Sequence, residues 1–281
     1  MSIEAIRVFA RRTKMSPTDD LAFYGEPPLF DLPNLPVEVS VTFTWDVERG
    51  FSLYDAWRRR CSYVRIGGPV FQGQGPHFQA GRFLKPGVTI TSRGCPNRCP
   101  WCIVPEREGP LHELQWIEPG YIVQDNNLLA CSDLHIERVF DMLLRQPRTA
   151  NFTGGLEAKR LQPWHVDWLR RPDFRLGEAW FAYDLPGSFR HLERAADLMS
   201  DFPLRKKRCY VLAGFLDDDT PAAAEARCDR ILELGFCPFL MLYQPTKRKV
   251  YDAAWKSAQR KWTRPAAYLS VPSVAESGGL L

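Results

Sequence analysis

No run of about 18 apolar residues occurs in this 281-residue chain, which excludes a membrane-spanning helix from the sequence. The amino terminus places Glu4, Arg7, Arg11 and Arg12 where a signal peptide needs an apolar stretch. A soluble, cytoplasmic protein with no membrane partner is expected. There is no long tandem repeat and no low-complexity tract, so solenoids and fibrous arrays are set aside. Charge of one sign is also lacking: the formal net charge is +4, and the global field says little about partners. What is present is ordinary for a globular domain, 45% hydrophobic and 25% charged residues.

The eight cysteines, at 61, 95, 99, 102, 131, 209, 228 and 237, do not suit a disulfide framework, which belongs to short secreted chains. Three of them crowd into Gly94-Cys95-Pro96-Asn97-Arg98-Cys99-Pro100-Trp101-Cys102, a C-x3-C-x2-C run. At this composition chance supplies that triplet only about 0.006 times per chain. Three thiolates from one short loop can hold three irons of a 4Fe–4S cluster. Zinc needs a fourth ligand, and none follows at finger-like spacing. The missing fourth ligand leaves one iron open to other molecules.

The chain reads as alternating strands and helices. In the first part Ile3–Phe9, Val37–Thr44 and Tyr63–Ile66 are strand-like, Ser16 to Leu35 is a loop, and Ser52 caps a helix through Ala56–Arg58. That βαβ layer ends in a Gly/Gln/Pro loop from Gly67 to Gly81. Beyond Gly87 six strands are expected, at Val88–Thr91, Tyr121–Gln124, Ala150–Thr153, Ala179–Tyr183, Cys209–Ala213 and Cys237–Leu242. Helices His135–Arg145, Pro163–Arg171, Phe189–Met199 and Pro221–Leu234 lie between them. Six βα units predict a parallel sheet, open or curved into a partial barrel, with ligands at the carboxyl ends of its strands.

The cysteine run, with aromatic Trp101 just before its last cysteine, resembles the signature of the radical S-adenosylmethionine (SAM) enzymes. The resemblance covers roughly Gly87 to Tyr243 and implies a partial (β/α)6 barrel with one 4Fe–4S cluster on Cys95, Cys99 and Cys102. It also implies SAM bound at the open iron, an external electron donor of flavodoxin or ferredoxin type, and a 5′-deoxyadenosyl radical that abstracts hydrogen from a substrate C–H. Domains of 1–86, 87–244 and 245–281 follow: an N-terminal α/β extension and linker, the partial barrel, and a basic helical tail. Cys102-Ile103-Val104-Pro105 and Gln124-Asp125-Asn126-Asn127 are similar to stretches of the methylthiotransferase and cobalamin-dependent branch. The three N-terminal cysteines of a second cluster are missing, as is an Asp-x-His-x-x-Gly cobalamin pattern. The whole chain also looks like uncharacterised radical SAM proteins of bacteriophage type.

On that resemblance Asp125 and Asn126 meet the methionyl end of SAM, or else form an Asx-turn or helix cap. Thr153-Gly154-Gly155 allow close backbone approach to SAM, and Asp184 holds its ribose or caps a helix. Val211 packs on adenine or in the core. Cys131 donates hydrogen to a product radical, or is buried packing. Between Pro245 and Pro265 seven basic residues face Asp252 alone, interleaved with Tyr251, Trp255 and Trp262. Lys247, Arg248, Lys249, Trp255, Arg260, Lys261 and Trp262 thus read as a nucleic-acid surface, to which Arg7, Arg11, Arg12 and Lys14 add, or as a terminal helix packed on the barrel. The expected substrate is a nucleic acid or nucleotide. The rivals are modification of a peptide or small metabolite, and a non-catalytic module holding zinc or a structural cluster.

Overall fold

The computed structural model describes residues 5–71, 83–245 and 249–269. The first sheet holds β1 (Ile6–Phe9), β2 (Ala22–Phe23), β3 (Val37–Ser40) and β4 (Val64–Gly67), all parallel, in the order β2-β1-β3-β4. Ile6, Val8, Val37 and Val39 bury against Leu53 and Trp57 of helix α1 (Val47–Arg58). The expected βαβ unit is therefore present, with β2 added on the far side of β1. Two residues are too few to show a periodic pattern, which is why the sequence reads there as loop.

Helix α1 begins five residues before Ser52, whose hydroxyl instead donates to the Glu48 carbonyl at 3.0 Å inside the helix. Asp46 holds the N-cap position, but its carboxylate is taken by Arg11.

The remaining strands are β5 (Val88–Thr89), β6 (Ser92–Arg93), β7 (His112–Glu113), β8 (Ile122–Val123), β9 (Ala150–Phe152), β10 (Leu176–Tyr183), β11 (Lys207–Ala213) and β12 (Cys237–Leu242). Six of them form a sheet in the order β12-β11-β10-β9-β8-β5, which hydrogen bonds do not close into a barrel. The chain is thus an α/β protein with parallel sheets. The intervening helices are α2 (Val104–Glu108), α3 (Asp133–Leu144), α4 (Pro163–Arg170), α5 (Phe189–Leu198) and α6 (Pro221–Glu233), followed by α7 (Ala253–Trp262) and α8 (Pro265–Leu269). Ser132 caps α3 by accepting from the His135 amide at 3.3 Å, and Thr220 caps α6 by accepting from Ala223 at 3.2 Å. The expected strand at 88–91 ends at Thr89, where β5 pairs with β8; the next strand, β6, lies beyond it and pairs antiparallel with β7.

Two compact units result, residues 1–148 with 245–248 and residues 149–244 with 249–281. Among the described residues no helix is long and apolar enough to cross a membrane.

Candidate metal centre

The cysteine run lies between β6 and β7, whose pairing (Ser92 with Glu113, Arg93 with His112) closes the loop at its base. Gly94 starts the loop at φ +74°, where a Cβ would come within 2.2 Å of the Pro110 carbonyl oxygen. Only glycine fits that backbone. The Cys95 amide donates to Gly109 at 3.4 Å and the Cys102 amide to the Cys99 carbonyl at 3.0 Å, so both ends of the run are held by backbone bonds. Cys95, Cys99 and Cys102 are half-buried and outside any disulfide, whereas Cys131, Cys209, Cys228 and Cys237 are buried. Trp101 is half-buried beside them in sequence.

Two buried carboxyl groups organise this loop. Glu108, at the end of α2, forms an ion pair with Arg93 (2.6 Å) and accepts from Arg107 (2.7 Å), the Gly94 amide (3.2 Å) and the Asn126 side chain. Burial pushes its pKa up, but the Arg93 charge, the Arg107 hydrogen bond and the Gly94 amide outweigh burial and hold it below the ordinary glutamate value. Asp125 accepts from the Thr91 amide (2.7 Å), the Thr91 hydroxyl (2.5 Å) and the Ser92 hydroxyl (2.7 Å). Burial dominates there and raises its pKa despite those three bonds. His135 packs into the same cluster, 3.0 Å from the Thr91 hydroxyl, with its pKa lowered by burial.

Asp125, Asn126 and Asn127 follow β8, and each ties down a different part of the loop. Asp125 holds the strand before it, Asn126 holds Glu108, and the Asn127 amide reaches the Cys95 sulfur at 3.7 Å. Asp125 is 1% exposed, and its carboxylate is engaged by Thr91 and Ser92, so in this structure it anchors the backbone before the loop. Asn126 is half-buried, its amide on Glu108. Cys131 is 8% exposed, and burial pushes its thiol up to about 11, so it stays protonated at neutral pH and keeps an S–H hydrogen.

Sequence reasoning passed over Glu108, Arg93 and Asn127. Only Asn127 left a signal, as the last residue of the Gln124–Asn127 run.

Among the described residues no three His, Cys, Asp or Glu side chains gather as for one bound metal ion. In a 4Fe–4S cluster each thiolate takes a different iron, so the donor set and its placement are the relevant test. Three soft thiols on one half-buried loop, with an amide donor on one sulfur, are not the donors of a hard cation.

In the second unit Thr153, Gly154 and Gly155 follow β9 and are half-buried; Gly155 has φ +107°, and the Thr153 carbonyl accepts from the Tyr210 hydroxyl at 3.2 Å. Asp184 is half-buried at the carboxyl end of β10. Val211 is 0% exposed, as are Cys209 and Ala213, its period-two companions on β11. It packs in the core, the second of the two places expected for it. Tyr210 lies on the opposite face, stacked on Trp180 at 4.3 Å.

The tail expectation divides. Lys247 and Arg248 lie outside the described residues. Lys249 donates to the Gly214 carbonyl at 3.0 Å, Arg260 is exposed, and Lys261 lies 3.5 Å from Glu225. Trp255 is half-buried with its ring edge-on to Tyr251. Trp262 is 1% exposed and packs 5.0 Å from Tyr268, so its indole belongs to the core and is not open to a base.

Compared with known proteins, the chain matches no family model and no curated protein.

Proposed function

We propose that this chain is a radical SAM enzyme that abstracts hydrogen from a C–H bond of a nucleic acid or nucleotide substrate. The supporting observation is the clamped loop: three half-buried thiols, closed by the β6–β7 pair, with Asn127 on the Cys95 sulfur. The loop and the Asp125–Asn127 segment follow β5 and β8, adjacent parallel strands, at the ends where α/β sheets place ligands.

Cys95, Cys99 and Cys102 would hold a 4Fe–4S cluster, which when bound would supply one-electron reduction of SAM to methionine and a 5′-deoxyadenosyl radical, the electron coming from a flavodoxin- or ferredoxin-type donor. Asn127 orients the Cys95 sulfur, and Glu108 fixes the loop through Arg93 and Gly94. Asn126, whose side chain bonds Glu108 beside the loop, is the proposed SAM contact. Cys131, held as a thiol, is the proposed hydrogen donor to a product radical.

Anaerobic reconstitution with iron and sulfide, followed by a SAM-cleavage assay, tests the reading. Brown protein that yields 5′-deoxyadenosine under reductant is expected. Protein that takes up zinc alone and leaves SAM intact overturns it in favour of a zinc module.

A further inference from the structure

We propose that the carboxyl edge of the N-terminal sheet binds single-stranded nucleic acid, with Arg12 and Lys14 on phosphates and the Phe43–Trp45 pair stacking on a base. In the order β2-β1-β3-β4 the chain leaves β1 toward β2 and leaves β3 toward β4, in opposite directions. Neighbouring strands whose connections diverge open a crevice at their carboxyl ends, the usual ligand position of open parallel sheets. The residues at this crevice are Arg11, Arg12 and Lys14 after β1, and Phe43, Trp45 and Asp46 after β3.

Their roles separate. Arg11 grips both oxygens of Asp46, whose side chain is 7% exposed, and lies 5.8 Å above the Phe43 ring, so it positions the edge. Phe43 and Trp45 stack at 4.8 Å with 9° between their planes, and both are only half-buried. Arg12 is exposed, 5.6 Å from the Tyr24 ring, and Lys14 is exposed; neither makes an ion pair among the described residues. An aromatic pair and unneutralised cations on loops at one sheet edge suit a strand whose bases are unpaired, since every base offers a π face and every phosphate a charge. A duplex hides those faces. Trp262 of the tail is in the core and closed to a base.

As the substrate class of the proposed enzyme this inference rests on the radical SAM reading; as a binding surface it is measured without cluster, reductant or SAM. The measurement is fluorescence anisotropy of a labelled DNA single strand of about 12 nucleotides, titrated with the whole chain at several salt concentrations. The parent should bind, with affinity falling as salt rises. Arg12→Glu with Lys14→Glu should weaken binding at least about tenfold and flatten the log–log salt slope by about 1.4, near 0.7 per phosphate contact. Both side chains are exposed, so the melting temperature should stay at the parental value. Trp45→Ala should weaken binding about 5- to 150-fold, and Trp45→Phe should restore most of it.

A parent that does not bind, a charge variant that binds as tightly as the parent, or a duplex of the same sequence that binds as tightly as the single strand overturns the proposal. Binding without SAM cleavage overturns the radical SAM reading alone. SAM cleavage without binding overturns this surface alone.

Discussion

The side-chain amide of Asn127 donates to the sulfur of Cys95 across 3.7 Å, joining the end of one parallel strand to the first cysteine of a loop 32 residues earlier. An amide donor on a thiolate removes negative charge from the sulfur and fixes its direction. Asn127→Ala should therefore lower SAM cleavage or cluster affinity about 10- to 100-fold, the usual cost of losing a support to a metal ligand. Iron content and cleavage rate, measured on the same preparation, check this; parental values for both refute it.

Glu108 is the counter-charge of a buried arginine. Its side chain is 1% exposed and Arg93's is 11%, so Glu108→Gln should destabilise the protein by about 3–5 kcal/mol, mostly by stranding Arg93. A depressed folded pKa gives stability that is present above the unfolded value, about 4.3, and lost as pH falls through the folded one. The gap between parent and Glu108→Gln should accordingly close below about pH 4. Denaturant titrations across the acid range measure it.

Asp125 should behave with the opposite sign. Its raised folded pKa means its contribution is full below the unfolded value, about 3.9, and lost as pH rises through the folded value. Asp125→Asn should therefore gain stability relative to the parent with rising pH. A gain that shrinks with rising pH would contradict the assignment of burial as the dominant cause.

Gly94→Ala places a methyl 2.2 Å from the Pro110 carbonyl at a left-handed φ of +74°. The backbone preference alone costs about 1–2 kcal/mol, and the clash must shift the β6–β7 closure. Iron uptake should fall while the far-UV circular dichroism of the rest of the fold is retained.

Trp262→Ala should cost about 3–5 kcal/mol, because a buried indole is replaced by a cavity. Chemical denaturation reads this directly. A loss below about 1 kcal/mol would mean that the indole is not packed in the core.

Local chemistry was legible in the residues themselves. The C-x3-C-x2-C run and the apolar spacing of the helix expected at His135–Arg145 act within one turn or loop, and that helix runs Asp133–Leu144. Helix boundaries missed where a cap candidate was already committed elsewhere: Asp46 spends its carboxylate on Arg11, 35 residues away, and Ser52 bonds back within the helix. The even seven-residue spacing of Trp255 and Trp262 suits a core face and a solvent face equally, and only packing on Tyr268 decides for Trp262.

By itself the sequence determined that this is an alternating α/β chain with parallel strands and three cysteines on one loop. Periodicity and spacing are short-range properties, and they survive without knowing what the chain folds against. Tertiary structure decided which polar residues hold the loop and which remain available. Asp125 meets Thr91 across 34 residues and Asn126 meets Glu108 across 18, and no local pattern encodes such pairings. It also decided that Val211 faces the core, because an apolar strand such as Cys209–Ala213 carries no polar alternation to mark its two sides.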